Sequence, residues 1–280
     1  MRYEGPILDN HLHLNRDDGD GLGAVETFVQ AGGTHLLVVN QPSWSMGVEV
    51  DDPGDFDPVF QETIDLCTAA AAILPGRAWP VLGVHPALIS RLTGERGFSI
   101  DEATSVMKGG IDRAASLVET GSALALKSGR PHYDVREAVW DASNHVLRHA
   151  IQQAATAECA IQLHTEATRS LPDVAKWAAD AGLRSDRVVK HYADGPMGDV
   201  TSSVIARRDA IEEVVAADIP FLLETDYLDD PDRPGAVLGP KTVPRRTAWL
   251  VDTHGAEMAH RAHVETPATV YGIDTEGIGT

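Results

Sequence analysis

Two histidines, His11 and His13, lie one residue apart in the stretch ILDNHLHL at residues 7–14, directly after an apolar run. In a β-strand, residues i and i+2 point to the same face, so the two imidazoles project together, and Asp9 projects with them. Two neighbouring imidazoles form a chelating pair for a metal ion. A single His-x-His pattern also fits an ordinary strand, so the rest of the chain must decide between these interpretations.

Short runs rich in Val, Leu and Ile recur along the 280 residues and alternate with amphipathic segments. Strands are predicted at residues 7–14, 34–42, 78–86, 123–129, 160–166, 187–193, 200–206 and 220–226, and helices at 24–32, 58–74, 99–121 and 136–158 among others. Ser99 is a suitable N-cap for the third of these helices, and Gly121 a suitable stop. Eight alternating strands predict a single-domain α/β fold over residues 1–280, a (β/α)8 TIM barrel. An open doubly wound sheet is the alternative, but no glycine-rich phosphate fingerprint follows the first strand.

Active-site groups of such barrels lie at the C-terminal ends of the strands. At or near those ends the chain carries His11, His13, His85, Lys127, His164, His191 and Asp226. As many as five of the 12 histidines are therefore concentrated there, which chance placement does not explain. Imidazole and carboxylate ligands suit Zn, Mn, Fe, Co or Ni. Four histidines, an aspartate and one bridging group can hold two metal ions about 3.5–4 Å apart, and a hydroxide between them is a nucleophile at neutral pH.

The motifs LDNHLHL, GVHP, QLHTE, VVKHYADG and LLETDYL resemble, in order and spacing, those of the TatD-like metal-dependent hydrolases of the amidohydrolase superfamily. The closing TPATVYGI resembles the C-terminal helix of that family, so the resemblance spans residues 8–273. The stretch SGRPHYDV resembles an archaeal branch of predicted hydrolases.

The resemblance implies a role for each matching residue. His11, His13 and Asp226 would bind the first metal ion, and His164 and His191 the second. A group at the end of the fourth strand would bridge both ions. Asp226 would also accept the proton of the attacking water and pass it to the leaving group.

The chain departs from the family at the bridging position, where Lys127 stands in place of a glutamate. A protonated lysine repels metal cations and has no acceptor atom. Carbon dioxide can carboxylate the amine to a carbamate that bridges two metals, as in the phosphotriesterase-like and dihydroorotase-like branches; we favour this interpretation, because every other ligand position is filled. Alternatively, the ammonium replaces one metal, or the substitution has removed the activity and left a binding protein.

Other residues are predicted around this centre. His85, Arg130, His132 and Tyr133 are candidates for contacting the substrate, with Arg130 as the fork-shaped donor to a phosphate or carboxylate. Glu166 and Glu224 are candidates for orienting a ligand histidine or its neighbour. A hydrogen bond from the ring to a loop backbone explains His85 almost equally well, and a place on the loop surface is the alternative for the other three residues. The loop at 227–246 is expected to be exposed and acidic, and solvated or capping roles are expected for the histidines on helical patterns, namely His145, His149, His254, His260 and His263.

The amino-acid composition indicates the environment in which the protein works and the partners that it does not attract. Asp and Glu number 42 against 23 Lys and Arg, only five of them Lys, for a net charge of −19. This balance resembles that of proteins from salt-loving organisms, so a haloarchaeal member is expected, and it opposes attraction to nucleic acid or anionic membranes. No apolar segment reaches the length of a membrane span and no signal peptide is recognised. With Cys67 and Cys159 as buried thiols, a cytoplasmic location is expected.

The sequence therefore predicts a binuclear metal-dependent hydrolase, most simply of a small phosphate ester, with DNA or a nucleotide fragment as an option. With a carboxylated lysine bridge, the alternative is an amide, lactone or phosphotriester hydrolase, and a metal-binding protein without turnover is a third. The expected partner is a small-molecule substrate, with nucleic acid only as a substrate and no membrane. Metal identity and oligomeric state are left open.

Overall fold

A computed structural model describes residues 3–230, 232–233 and 237–277 of the chain. Its sheet contains nine parallel strands in the order β8-β7-β6-β5-β4-β3-β2-β1-β9. The strands are β1 (Leu8–His13), β2 (His35–Val39), β3 (Ala78–Gly83), β4 (Ala125–Gly129), β5 (Ile161–His164), β6 (Val188–Ala193), β7 (Thr201–Ile205), β8 (Phe221–Glu224) and β9 (Tyr227–Leu228).

Helices follow most strands and cover the outside of the sheet. They are α1 (Leu22–Gln30), α2 (Asp57–Ala70), α3 (Leu88–Gly94), α4 (Ile100–Glu119), α5 (Glu137–Thr156), α6 (Pro172–Ala181), α7 (Arg208–Ala216), α8 (Thr242–His254), α9 (Ala256–His260) and α10 (Thr266–Tyr271). A π-helical turn, Arg261–Glu265, connects α9 to α10. Among the described residues, none of these helices is long and apolar enough to cross a membrane.

Burial on both faces explains the composition of the strands. Every residue of β1, β2 and β4 is buried, as expected for strands that pack against side chains inside the barrel and helices outside it. The predicted start of α4 is confirmed, because the Ser99 side chain accepts from the Glu102 backbone and Glu102 bonds back to Ser99. Both cysteines are buried thiols, also as predicted.

The strands at the two edges of the sheet, β8 and β9, follow each other directly in the chain. β8 pairs with β7, whereas β9, which begins three residues after β8 ends, pairs with β1 through Leu12–Tyr227 and His13–Leu228. Between the two pieces, the Asp226 backbone N–H donates to the His11 carbonyl at 2.9 Å. The segment thus joins both edges of the sheet, which closes it. The prediction of a single-domain TIM-barrel fold is confirmed.

The predicted eighth strand, 220–226, is wrong at its end. The strand stops at Glu224, and Asp226 has a positive φ of 48°, which is uncommon for a residue other than glycine. Asp9 holds this break, because its carboxylate accepts from the Thr225 backbone N–H at 3.0 Å and from the Thr225 hydroxyl at 2.6 Å.

The expectation of an exposed acidic loop at 227–246 is wrong for Asp229. Its buried carboxylate accepts backbone N–H groups of Asn15, Asp20 and Gly21 at 2.7–2.8 Å and the Tyr227 hydroxyl at 2.9 Å. It therefore anchors the loop that follows β1. Positions 231 and 234–236 of the predicted loop lie outside the described residues.

The expectation that His263 is solvated or capping is also wrong, because the ring is fully buried. Its Nδ1 accepts from the Leu8 backbone N–H at 3.1 Å, and its Nε2–H donates to the Thr247 hydroxyl at 2.8 Å. Burial lowers the pKa of His263 to about 3, so the ring is neutral at neutral pH. The π-helical turn thus supports the first strand from the far end of the chain.

Replacing His263 with leucine is expected to destabilise the protein by about 1–3 kcal/mol, because the buried Leu8 N–H loses its acceptor. Urea denaturation of the two proteins measures this change. His260→Leu, three residues earlier in the chain but partly exposed and paired only distantly with Glu265, is the matched control and should change the free energy of unfolding little. Equal losses for both variants would contradict the role given to His263.

Candidate metal centre

The predicted strand-end residues surround one cavity of about 560 Å³ at the C-terminal ends of the strands. Seven residues that were predicted from the sequence line it: His13, His85, Lys127, His132, His164, His191 and Asp226. Trp44, Thr165, Lys190, Tyr192 and Arg233 line it as well. The barrel therefore brings together side chains from distant parts of the chain.

His11, His13 and Asp226 form a group of donor atoms that could hold a metal ion. The Nε2 atoms of His11 and His13 are 3.3 Å apart, and the Asp226 Oδ1 lies 3.7 Å from the first and 3.9 Å from the second. Two ligands of one tetrahedral ion at about 2.1 Å are separated by about 3.4 Å, so the three atoms match a shared cation. The donor set fits a divalent metal.

Hydrogen bonds at Nδ1 fix the tautomers of His11 and His13. His13 Nδ1 lies 2.8 Å from the Val39 carbonyl, which only accepts, so this nitrogen carries the proton. His11 Nδ1 lies 2.6 Å from Gln162 Oε1, while the Gln162 amide nitrogen donates to the Asn10 carbonyl at 3.0 Å and to the Tyr271 hydroxyl at 2.9 Å. Both Nε2 atoms therefore present lone pairs, as metal-binding imidazoles require.

His191 is fixed in the same way by Glu224. The Glu224 Oε1 accepts from the Tyr192 backbone at 2.7 Å and from His191 Nδ1 at 3.2 Å, and its Oε2 accepts from the Ser203 hydroxyl. The contact predicted between Glu224 and a ligand histidine is thus present. Burial raises the pKa of Glu224 well above its ordinary value, and the nearby Asp226 raises it further.

His164 connects His191 with His132. Its Nδ1 lies 2.8 Å from His191 Nε2, and its Nε2 lies 2.9 Å from His132 Nδ1. At this distance one of the two nitrogens donates its proton to the other. A cation bound by His164 Nδ1 and His191 Nε2 would need the lone pairs of both, so that proton would have to leave the position between them. If Nε2 then carries the proton of His164, His132 Nδ1 is positioned to accept it.

The histidines at the centre are kept neutral by their surroundings. Burial lowers the pKa of His11 and of His13 well below the ordinary value, and the charge of Lys127 lowers both further. Burial likewise lowers the pKa of His85, His164 and His191. Neutral imidazole is the metal-binding form.

The pKa of Asp226 is shifted upward, in contrast to the lowered pKa values of the histidines. Burial raises its pKa to about 6, against the lowering effect of Lys127, Lys190 and Arg233. The carboxylate is therefore ionised at neutral pH, yet more basic than an exposed aspartate, which suits a group that accepts a proton.

Lys127 is buried on β4 and lines the cavity between the neighbouring strands, opposite Gly83 on one side and Gln162 on the other. Burial lowers its pKa to about 8, against the raising effect of Asp226 and Glu224. A larger fraction of the amine is thus neutral than in an exposed lysine. The side chain occupies the position at which the resemblance implies a bridging anion.

The predicted substrate contacts divide into two groups. His85 and His132 line the cavity, with the His85 ring 4.8 Å from that of His164. His85 Nδ1 also accepts from the Ala87 backbone at 3.2 Å, so the loop contact considered from the sequence is present too. Tyr133 is exposed and donates to the Ser90 hydroxyl at 2.9 Å.

Arg130 and Glu166 take a different arrangement from the one predicted. The Arg130 guanidinium is buried, donates with two nitrogens to Glu166, and also bonds Asp173. It packs over the Trp140 ring at 4.8 Å. Its fork is therefore engaged within the protein rather than presented to a substrate, and Glu166 orients Arg130 rather than His164.

Gln162 and Lys190 were not predicted as site residues from the sequence. Gln162 lies two residues before His164, so strand alternation could have placed it on the same face. Lys190 is one of only five lysines and directly precedes His191, but it stands on the other face of the predicted strand, where alternation gives no signal. Burial lowers the pKa of Lys190.

Comparison with known proteins gives a consistent assignment. A family model described as TatD related DNase matches residues 8–271. An uncharacterized protein of Methanocaldococcus jannaschii is 33% identical over 289 residues, covering 97% of both chains. The haloarchaeal origin expected from the charge stays a prediction.

Solved structures share the fold at low sequence identity. A TatD-like protein from Archaeoglobus fulgidus has a TM-score of 0.59 and 15% identity, covering 95% of this chain and 100% of that one. An organophosphorus hydrolase from Deinococcus radiodurans has a TM-score of 0.58 and 13% identity, covering 96% and 93%. These similarities concern the architecture.

Gln162→Leu is expected to weaken metal binding about 10- to 100-fold, because His11 loses the acceptor that fixes its tautomer. Competition against a chromogenic chelator measures the affinity. Gln152→Leu, on the exposed face of α5, is the control with the same chemical change. Unchanged affinity in a folded Gln162→Leu protein would show that His11 does not need this support.

Proposed function

The chain belongs to the TatD related DNase family, and on that premise we propose that it is a metal-dependent hydrolase with two divalent cations at the strand ends. The observation that carries the proposal is the group formed by His11, His13 and Asp226, whose three donor atoms lie within 3.3–3.9 Å of one another. The lone pairs of both imidazoles are directed by hydrogen bonds on their opposite nitrogens.

The residues divide between two cations. His11, His13 and Asp226 would hold the first, and His164 with His191 the second, with Lys127 between them. Bound divalent cations would make water a nucleophile at neutral pH and polarise the bond to be cut. Asp226 accepts the proton of the attacking water and returns it to the leaving group, a role that suits its raised pKa of about 6.

A small phosphate ester is the substrate that we propose. Lys190 and Arg233 line the cavity of a protein whose net charge is −19, so two cationic side chains lie where the substrate would bind. A net charge of −19 opposes attraction to a nucleic acid polymer. A nucleotide fragment remains within the proposed class.

Asp226→Asn is expected to lower kcat by about 10²- to 10⁴-fold, because the amide cannot accept the proton. Steady-state hydrolysis of 4-nitrophenyl phosphate with Mn, Co or Zn measures this, alongside metal analysis of each protein. Asp232→Asn, nearby in the chain but exposed, is the control. An Asp226→Asn enzyme with normal metal content and normal kcat would refute the proton-transfer role.

The carboxylated form of Lys127 is our proposal for the bridging group. Burial on β4 places this amine where an anion is needed, and burial also favours its neutral form. The Nζ lone pair attacks the carbon of carbon dioxide, an N–C bond forms, one carbon–oxygen π pair moves to oxygen, and Nζ releases a proton to solvent. The resulting carbamate would carry a negative charge and two oxygens that could help to hold the cations.

Labelled bicarbonate tests this form directly. Wild-type protein loaded with Zn in ¹³C-bicarbonate should show one carbamate carbon by NMR, and Lys127→Ala should show none and lose the second metal equivalent. Added propionate, a carboxylate that can enter the space left by the side chain, should restore part of the activity of Lys127→Ala. One metal per wild-type chain and no carbamate signal would instead support an ammonium in place of the second cation.

A second candidate function follows from the same lysine. If the carbamate is present, an amide, lactone or phosphotriester hydrolase is the alternative, because such bridges are implied by those branches of the resemblance. Parallel assays of phosphomonoesters, phosphotriesters, lactones and amides with the metal-loaded protein separate the two. Full metal loading without turnover of any class would favour a binding protein.

A further inference from the structure

Lys190 is a buried cation at the edge of the cavity that the proposed mechanism does not use. It lies on β6 directly before His191, and it lines the cavity together with Thr165 from the end of β5. A lysine is seldom fully buried unless its charge is paired. The surroundings of its ammonium group therefore bear on function.

The ammonium group makes only part of its bonds within the protein. Nζ donates to the His191 carbonyl at 2.8 Å and approaches the Thr165 carbonyl at 3.5 Å. In the described part of the chain, no carboxylate forms an ion pair with it; Glu224, Glu166, Asp194 and Asp226 act on it only from a greater distance. Since an ammonium has three donors, at least one is left for a further acceptor.

A second polar group beside it is also unsatisfied. The Thr165 hydroxyl is buried and makes no hydrogen bond to any described residue. Buried hydroxyls nearly always have a partner, so this one points to an acceptor or donor that the protein itself does not supply. Lys190 and Thr165 together offer one charged and one neutral donor at the junction of β5 and β6.

We propose that Lys190 and Thr165 form an anion-binding subsite beside the metal centre, which takes a negatively charged oxygen of the substrate. A buried cation without a counter-ion is costly, and a substrate anion would supply the missing charge. The subsite selects anionic phosphate esters over neutral phosphotriesters, lactones and amides. The identity of the anion as a substrate group rests on the proposed function, whereas anion binding itself does not.

The competing account is structural, with Lys190 only joining the carbonyl groups at the ends of β5 and β6. Lys190→Gln separates the two, because the amide can still donate to a carbonyl but carries no charge. Lys190→Arg restores the charge. Lys176→Gln, on the exposed face of α6, removes the same charge far from the cavity and is the matched control.

The first measurement is calorimetric binding of inorganic phosphate to the metal-loaded proteins. Lys190→Gln should bind phosphate about 10- to 100-fold more weakly than wild type, and Lys190→Arg should recover part of this loss. Thr165→Val should weaken binding by a smaller factor, about 2- to 10-fold. Equal phosphate affinity in wild type and a folded Lys190→Gln protein would overturn the subsite.

The second measurement varies substrate charge with one leaving group. The substrates are 4-nitrophenyl phosphate, methyl 4-nitrophenyl phosphate and dimethyl 4-nitrophenyl phosphate, which carry two, one and no negative charges when fully ionised. Lys190→Gln should lower kcat/KM for the two anions, chiefly through KM, and leave the neutral ester nearly unchanged. A loss of the same size for all three would assign Lys190 a structural role.

Two further outcomes are informative. If Lys190→Gln does not fold, Thr165→Val decides, since phosphate affinity equal to that of wild type would overturn the subsite. If wild type binds metal and phosphate through Lys190 but hydrolyses none of the three esters, the proposed function fails and the subsite stands.

Discussion

The hydrogen bond between the Asp226 backbone N–H and the His11 carbonyl is the contact on which the site depends. It joins the last strand segment to the first at the point where the segment is broken, and so it closes the barrel and positions the carboxylate in one step. Asp9 fixes the residue before the break, at the cost of a buried carboxyl whose pKa is raised to about 7 by burial. The positive φ of Asp226 is local strain that this closure maintains.

From that contact the arrangement extends outward through hydrogen bonds that fix histidine tautomers. A carbonyl, an amide and a carboxylate take the Nδ1 protons of His13, His11 and His191, respectively. The Val39 carbonyl and the Glu224 carboxylate belong to strands of the barrel. The Gln162 amide is held by its hydrogen bond to the Tyr271 hydroxyl, near the C-terminal end of the described chain. Burial keeps the imidazoles neutral, so the barrel supplies lone pairs where charged rings would repel a cation. The same burial makes Lys127 a weaker base than an exposed lysine.

Much of this could be predicted from the sequence, because strand alternation and the geometry of a parallel barrel are local and repetitive rules. They place His11 beside His13, and they bring His164, His191 and Asp226 to one end. The fold class follows from the same alternation. Contacts that depend on a single side chain across a long sequence separation could not be predicted. His263 supports Leu8 from a π-helical turn, and Glu166 bonds Arg130 from the loop after β5, because packing rather than periodicity decides which partner a side chain meets.

The contrast between an acidic surface and a cationic cavity is physically consistent. Surface carboxylates separated from the cavity by a layer of helices act through solvent, where charges are screened over about 10 Å at 0.1 M salt. Lys190 acts across a buried cavity, where screening is weaker and its charge has a larger effect on a bound anion. The net charge therefore governs how the whole protein meets a polyanion, whereas the cavity governs what a small substrate experiences after entry. A small anion that enters this cavity leaves the screened repulsion of the surface and meets an attraction that is screened less. A polymer that must also lie along the surface keeps the repulsion over its whole length.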